Sequence, residues 1–235
     1  MIKTISLSLI CCNDIDSIEE SMSRIKEISH LFKDIVVVDG NSSDGTTDYI
    51  SKVCPEIEII KVNYQHRLAQ RIKSFENTTG DLVLIMDIDD MVDKIAINTN
   101  IKYLNQKNLS GVQFQLRSYE LKSLSHRCWD SLMLSLYKPK SIVKTLGRPS
   151  ITKRDYLKGI TVPPKFLDIG EDTYISVRQE ELFKELNFHI GDGVAFKKTE
   201  ISLLKSFYKY FIYGFGDAYI VSQKPHKISN FLFHQ

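Results

Sequence analysis

Two apolar segments that each end in carboxylates constrain the fold of this chain more than any other feature. Residues 35–38 are Ile-Val-Val-Val and lead into Asp39, and residues 82–86 lead into the sequence Asp-Ile-Asp-Asp. A continuous aliphatic run is typical of a strand that is buried on both faces of a parallel sheet. Because α/β sheets bind ligands at the carboxyl ends of their strands, we expect these carboxylates to share one polar site.

Strand and helix patterns alternate from residue 4 to residue 86, and this alternation indicates the fold class. The predicted strands cover 4–10, 35–38, 57–62 and 82–86. The first predicted helix begins near residue 17, and the next two cover 46–53 and 67–77. Such repeats favour a parallel sheet of the nucleotide-binding type with right-handed crossovers. The sequence therefore predicts an α/β fold with a mostly parallel central sheet flanked by helices.

The pattern is less regular beyond residue 110. The expected elements are a helix near 95–106, strands over 112–118 and 188–197, and a helix over 172–186. Four prolines fall between residues 139 and 164, and we expect loops there. Aromatic residues alternate with lysines near the C-terminus. That pattern is typical of a helix packed on the core, and a helix lying on a membrane surface is the alternative.

Charge and composition limit the classes of partner and the compartment. The formal net charge is only +2, which gives no argument for nucleic acid. The four cysteines lack CxxC spacing, so reduced thiols in a cytosolic setting are expected. No run of 18 apolar residues occurs, and the first residues lack the features of a secretory signal. We therefore expect a cytoplasmic protein, with the inner face of the membrane as a second place of action.

Asp87 and Asp89 are candidate metal ligands. Mg²⁺ and Mn²⁺ prefer oxygen ligands, and in phosphate-handling sites they usually bind one or two carboxylates together with substrate phosphates. Two aspartates that are one residue apart at a strand end can point the same way. The alternative is a solvated turn, since aspartate is common where strands end.

Three further positions carry candidate binding groups. Asp39 either accepts a hydrogen bond from a nucleotide or ends its strand and caps the next turn. Arg71 either meets a diphosphate or lies on a solvated helix face. The pair Glu171-Asp172 opens a helix, where a carboxylate either caps the helix or acts as a general base near the metal site.

Several motifs in order resemble family 2 glycosyltransferases of the GT-A fold. Residues 38–46, Val-Asp-Gly-Asn-Ser-Ser-Asp-Gly-Thr, are similar to the family's Asp-X-X-Ser-X-Asp-Gly-Thr signature. Ala-Gln-Arg at 69–71, Asp-Ile-Asp-Asp at 87–90 and Glu-Asp at 171–172 follow the family's order and spacing. Tyr-Gly-Phe-Gly at 213–216 resembles a C-terminal element of these enzymes.

The resemblance implies a role for each matching residue. Asp39 and Ser42 would contact the nucleotide, Arg71 the donor and Asp87 the region of the ribose. Asp89, with Asp87, would hold Mn²⁺ or Mg²⁺ bound to the diphosphate. Glu171 would bind substrate, and Asp172 would deprotonate the acceptor hydroxyl.

The resemblance also implies an organisation and a substrate class. A Rossmann-like GT-A sheet over residues 1–110 would bind a nucleotide-diphosphate sugar, and residues 111–235, with C-terminal helices, would shape the acceptor site within one continuous domain. The acceptor would be a glycan, a lipid-linked molecule or a protein. Lys197-Lys198-Thr199 stands where many members have a histidine, so departure of the diphosphate is expected to rely more on lysines.

The function expected from these features is metal-assisted sugar transfer with inversion. Two alternatives are a nucleotidyltransferase and a non-catalytic nucleotide-sugar binding protein of the same fold. A nucleotidyltransferase would normally have a glycine-rich basic loop after its first strand. Residues 11–14, Cys-Cys-Asn-Asp, contain no glycine and no basic residue.

Overall fold

A single sheet of nine strands organises the part of the chain that the structure describes. The computed structural model of the 235-residue chain describes residues 3–164, 169–183, 185–198 and 203–222. The strands are β1 (Ile5–Cys11), β2 (Ile35–Asp39), β3 (Glu58–Lys61), β4 (Leu82–Ile85), β5 (Asp90–Met91), β6 (Gly111–Ser118), β7 (Ile142–Val143), β8 (Ser150–Lys153) and β9 (Phe188–Lys197). The helices are α1 (Glu19–Ile28), α2 (Thr46–Val53), α3 (Arg67–Asn77), α4 (Lys94–Gln106), α5 (Leu124–Leu136), α6 (Glu171–Leu182) and α7 (Leu203–Ser222).

The sheet order is β3-β2-β1-β4-β8-β6-β9-β5, and β7 also pairs with β9. Strands β1 to β4 are parallel neighbours, and β6 and β9 run in the same direction as they do. Strands β5, β7 and β8 run the opposite way. The predicted α/β fold with a mostly parallel sheet is confirmed. The carboxyl ends of β1, β2, β4 and β9 consequently lie at one edge.

Helices cover both faces of the sheet, and β4 shows how its sequence permits this. Leu82 and Leu84 belong to a core cluster that includes α1, α2 and α4, whereas Val83 and Ile85 belong to a cluster that includes α3 and α6. Successive side chains of a strand point to opposite faces, so a strand buried on both sides needs an unbroken apolar run.

Two expectations for the second half of the chain need correction. The proline-containing stretch from 139 to 164 was expected to form loops, yet β8 lies within it at the centre of the sheet. Pro149 directly precedes β8, a position at which a strand loses no ladder hydrogen bond. The helix expected over 172–186 begins at Glu171 and ends at Leu182.

Helix α7 packs close to the start of α6 because residue 216 is a glycine. A Cβ atom at Gly216 would collide with the side chain of Ile169, so only glycine permits this approach. Ile220, one turn further along α7, is also buried. None of the described helices combines the length and the hydropathy that a bilayer span requires. Residues 223–235, the end of the predicted lysine-rich aromatic segment, lie outside the described residues.

Candidate active site

The turn that follows β2 places Asp39 and Ser42 together. Asp39 is buried, and its carboxylate accepts hydrogen bonds from the backbone N–H of Ser42 at 3.1 Å and from the Ser42 hydroxyl. The backbone N–H of Asn13 donates to the Ser42 hydroxyl at 2.9 Å, which joins the ends of β1 and β2. Asn13 and Asn41 adopt positive φ angles of 56° and 64°, a conformation that asparagine tolerates. The turn is therefore fixed, and contact of Asp39 with a nucleotide stays a prediction.

Asp87, Asp89 and Asp90 form an acidic cluster directly after β4. Each offers a carboxylate oxygen, and these oxygens lie within 4.8 Å of one another. The backbone N–H of Asp87 donates to Asp90 Oδ2 at 2.9 Å, so the turn itself holds Asp90 in place. Burial raises the pKa of Asp90 to about 6. The cluster concentrates negative charge at the sheet edge and suits a cation.

Lys197, the last residue of β9, contacts all three carboxylates of this cluster. Its Nζ lies 2.8 Å from Asp89 Oδ1, 3.2 Å from Asp90 Oδ1 and 3.3 Å from Asp87 Oδ2. The position follows from strand pairing, because Asp90 of β5 and Lys197 of β9 are direct partners in the sheet. Burial opposes the ammonium charge, but the three carboxylates keep the pKa of Lys197 well above its usual value.

Arg71 and Arg67 approach Asp87 from α3. Arg71 shares the buried face of α3 with Leu68 and Phe75, and its side chain is fully buried. It donates to the carbonyl of Met86 at 2.6 Å and to Asp87 Oδ1. Arg67 is about half exposed and lies 3.5 Å from the same oxygen. The structure shows that the buried Arg71 holds Asp87 from the core side of the site. Contact of Arg71 with a donor stays a prediction.

Opposing effects act on the pKa of Asp87. Burial alone would raise it, but the cations of Lys197, Arg71 and Arg67 hold it well below its ordinary range. Burial, with help from neighbouring cations, lowers the pKa of Arg71 to about 10, so its guanidinium stays charged at neutral pH.

An ion-pair chain connects Asp87 to the start of α6. Arg67 donates to Glu171 Oε1 at 2.8 Å, and Arg148 donates to the same oxygen at 3.0 Å. Arg148, whose side chain is 93% buried, also pairs with Asp172. Asp172 is therefore the last member of this series of ion pairs. Glu171 is thereby occupied by two arginines, whereas Asp172 keeps a third of its side chain exposed.

The environment of Asp172 suits a group that exchanges protons near neutral pH. Burial raises its pKa, the cation of Arg148 opposes that rise, and the resulting pKa is about 7. A carboxylate at this pKa is partly deprotonated at neutral pH and is a stronger base than an ordinary aspartate. Glu171 differs, since Arg148 and Arg67 overcome the effect of burial and lower its pKa.

The fold thus brings Asp87, Asp89, Glu171 and Asp172 into one charged network, and Asp39 and Ser42 lie at the end of β2, with β1 between β2 and β4. Reasoning from the sequence missed Arg148 and Asp14. Burial raises the pKa of Asp14, and the charges of Asp89 and Asp87 raise it further, so Asp14 lies close to the acidic cluster. Its place just after β1 could have indicated this. Arg148 lies in a stretch without a regular pattern and offered no such indication.

The acidic cluster fits a divalent cation by the chemistry of its donors. Three carboxylate oxygens lie within 4.8 Å of one another, and hard oxygen ligands are what Mg²⁺ and Mn²⁺ prefer. The ammonium of Lys197 already lies among these oxygens, which shows that they converge on a position for positive charge.

The sheet and the acidic cluster at its edge agree with the class of protein that the order of the motifs predicts, and comparison with known families identifies that class. The family model described as "Glycosyl transferase family 2" matches residues 6–143, which is more than half of the chain. The chain belongs to this family.

Sequence relatives and solved structures resemble different shares of the chain. Poly-beta-1,6-N-acetyl-D-glucosamine synthase of Staphylococcus aureus (strain MSSA476) is 31% identical over 98 residues, which is 39% of this chain and 23% of that protein. Relatives from strains MW2 and COL cover the same shares at 31% and 30% identity. The chain therefore spans about a quarter of the relatives that it matches.

Solved structures confirm the fold over most of the chain. S. aureus TarS (residues 1–349) in complex with UDP superposes with a TM-score of 0.65 at 16% identity, covering 83% of this chain and 60% of that one. Glucosyl-3-phosphoglycerate synthase from Mycobacterium tuberculosis, in complex with Mg²⁺ and UDP, gives a TM-score of 0.61 at 16% identity, covering 87% and 74%. At such identities the likeness shows the GT-A fold alone.

The two arginines on α3 predict a contrast in stability. Arg71→Met should lower the free energy of unfolding by about 3 kcal/mol, because it removes the fully buried cation beside Asp87 together with the donor to the Met86 carbonyl. Arg67→Met should cost about 1 kcal/mol or less, because Arg67 is half exposed. Urea unfolding of both variants measures the difference, and equal losses would contradict the anchoring role of Arg71.

Proposed function

We propose that this chain is a metal-assisted, inverting glycosyltransferase that moves a sugar from a nucleoside-diphosphate sugar to an acceptor hydroxyl. The observation that carries this proposal is the link between two sites. The acidic cluster at Asp87–Asp90 suits a cation and a diphosphate. The arginines 67 and 148 connect it to Asp172, a carboxylate with the pKa of a general base.

We propose that the base of the donor nucleotide is uracil. The fold matches TarS in complex with UDP and with UDP-GlcNAc, and glucosyl-3-phosphoglycerate synthase in complex with UDP and either Mg²⁺ or Mn²⁺. In this chain the turn holding Asp39 and Ser42 follows β2, which is separated from β4 only by β1, and a nucleoside bound there would reach the acidic cluster with its diphosphate. Asp39 would accept from the base, and Ser42 would hold Asp39 in position.

Asp89 and Asp87 would hold the divalent ion together with the donor's phosphate oxygens. When bound, the ion supplies positive charge to the leaving diphosphate as a Lewis acid. Arg71 donates to Asp87 Oδ1 and so holds this oxygen in place. A charged group that is already in position does not have to move when charge develops on the leaving diphosphate. The protein's own part is thus to orient the phosphates and to keep the carboxylates from moving apart.

Asp172 would accept the proton of the acceptor hydroxyl. The acceptor oxygen forms its bond to the anomeric carbon while the bond from that carbon to the phosphate oxygen breaks. The electron pair of the broken bond leaves with the nucleoside diphosphate, and the proton of the acceptor hydroxyl is transferred to the Asp172 carboxylate. Attack opposite the leaving group inverts the anomeric centre in one step. Arg148 would position the carboxylate and limit its basicity.

The assignment of donor binding and acceptor binding to two parts of the chain is also part of the proposal. Residues 1–110 would bind the donor and residues 111–235 would shape the acceptor site, within one continuous domain. The acceptor would be a glycan, a lipid-linked molecule or a protein. Each of these can carry a hydroxyl group, which is the only group that the proposed base Asp172 has to reach. Family membership argues against a nucleotidyltransferase, and a transfer assay separates an enzyme from a binding protein that has lost catalysis.

We further propose that α7 contacts a membrane surface. Its described residues Leu204, Tyr208, Phe211 and Phe215 are all more than half exposed and recur every three or four positions. They form one apolar face of the helix that is exposed to solvent, and lysines lie beside them in the sequence. This placement would bring a lipid-linked acceptor to the start of α6, where α7 packs.

The donor prediction concerns ligand-induced stabilisation. At a hundred times its dissociation constant, a nucleotide stabilises the native state by about 2.7 kcal/mol, which for a chain of this size raises the melting temperature by about 5–10 °C. We expect this rise with UDP and Mn²⁺ together, and a smaller one with GDP, CDP or dTDP. Thermal unfolding with each nucleotide, with and without metal, measures it.

Asp89→Asn should abolish the part of that rise that depends on Mn²⁺. Asp93→Asn is the matched control, because Asp93 caps α4 through Ala96 and asparagine caps equally well. If wild-type protein responds to no nucleotide with or without Mn²⁺, the proposed donor site is wrong.

The base assignment predicts a pH dependence. Transfer requires deprotonated Asp172, so the rate should fall as the pH drops through about 7. Arg148→Met removes a cation that favours the carboxylate, and the acid limb should then move up by about one pH unit. Arg178→Met, which breaks an ion pair with Glu181 on the same helix, should leave the limb in place.

Asp172→Asn should bind UDP and Mn²⁺ normally but lose transfer by about a hundredfold or more. A variant that transfers sugar at the wild-type rate would remove Asp172 from the role of base.

The membrane proposal predicts a loss of vesicle binding. Phe211→Ser combined with Phe215→Ser should reduce co-sedimentation with anionic phospholipid vesicles at least severalfold, because binding strength depends on the apolar area buried at the membrane surface. Leu124→Ser, an equally exposed position on α5, is the control. Wild-type protein that stays in the supernatant with such vesicles would rule out this contact.

A further inference from the structure

Lys197 occupies the point on which the carboxylates of the acidic cluster converge. Its Nζ lies between 2.8 and 3.3 Å from one oxygen each of Asp87, Asp89 and Asp90. Pairing of β5 with β9 sets Lys197 directly opposite Asp90. The long, flexible stem of a lysine leaves its ammonium free to swing while the backbone stays in place.

A divalent ion bound by these oxygens could not share the position with the ammonium. Carboxylate oxygens bind Mg²⁺ at about 2.0–2.1 Å, much closer than their contacts with Lys197. The two cations would compete for the same oxygens and repel each other. Binding of the ion therefore requires that the Lys197 ammonium leaves the cluster.

The balance of charge indicates when this exchange is favourable. Among the described residues, the linked network contains five carboxylates (Asp87, Asp89, Asp90, Glu171 and Asp172) and four cationic side chains (Arg67, Arg71, Arg148 and Lys197). Its formal charge is minus one, so a divalent ion would bring it to plus one while the displaced ammonium stays nearby. A diphosphate brings two negative charges, which offset the ion and give the displaced ammonium a new partner.

We propose that Lys197 is the resident cation of the acidic cluster in the donor-free protein, and that it moves to the donor's diphosphate when a divalent ion takes its place. This inference rests on the proposed function. Lys197 is then a positioning residue with two consequences: it weakens metal binding without a nucleotide, and it strengthens the dependence of metal binding on the diphosphate. Metal and donor would enter the site together.

The test is Mn²⁺ binding by the full chain, followed through the electron paramagnetic resonance signal of the free ion, with and without UDP. Lys197→Met should bind Mn²⁺ about tenfold more tightly than wild type when UDP is absent, a coupling in the usual range for interacting sites. UDP should tighten Mn²⁺ binding strongly in the wild type and about tenfold less in the variant. Lys197→Gln, which keeps a hydrogen-bond donor without the charge, should behave like Lys197→Met.

Lys158→Met is the control, because Lys158 is largely exposed and pairs with Asp155, outside the linked network. It should bind Mn²⁺ as the wild type does. If neither Lys197 variant binds Mn²⁺ more tightly than the wild type without UDP, the inference is overturned, even where UDP and Mn²⁺ bind the wild type together. If the wild type binds no UDP with Mn²⁺, the proposed function fails instead. If the Lys197 variants still bind Mn²⁺ more tightly than the wild type in that case, competition between the Lys197 ammonium and the ion is supported independently of the proposed function.

Discussion

Charged groups that are removed from water must be paired with opposite charges, and the whole site depends on this requirement. Asp87 is the residue at which most of these ion pairs meet. Its carboxylate contacts the fully buried Arg71, the half-exposed Arg67 and the mostly buried Lys197, while its backbone N–H donates to Asp90. An unpaired carboxylate at this depth would be costly or would become neutral. The paired one stays charged, and the elements that supply its partners are fixed relative to one another.

Much of the first half of the fold could be predicted from the sequence because its information is local. The predicted spans of α2 and α3 coincide with the structure, and β2 differs from its predicted span by one residue. Apolar runs, turn residues and helical spacing suffice where each strand pairs with a neighbour close in sequence. The same locality placed Asp39 and Asp87 at strand ends, while the proposed roles of all site residues still rest on the resemblance.

The remainder could not be predicted because it depends on contacts between distant segments. Strand β8 has four residues, and only its neighbours β4 and β6 make it a central strand. Arg148 gains significance through Glu171 and Asp172, more than twenty residues later. The position of Lys197 among three carboxylates follows from the register of β9 against β5, and a single sequence does not encode that register in any visible pattern.

The central place of β8 has a consequence for how this chain can be made and divided. Until β8 is present, β4 is an open edge with four buried apolar residues, the kind of strand that pairs with other chains. A ribosome must therefore extend the chain past Lys153 before β4 has neighbours on both sides. A fragment that ends near residue 110 keeps every carboxylate of the acidic cluster but lacks the strand that would shield β4. We therefore expect the proposed donor half to depend on β8 and not to form an independent module.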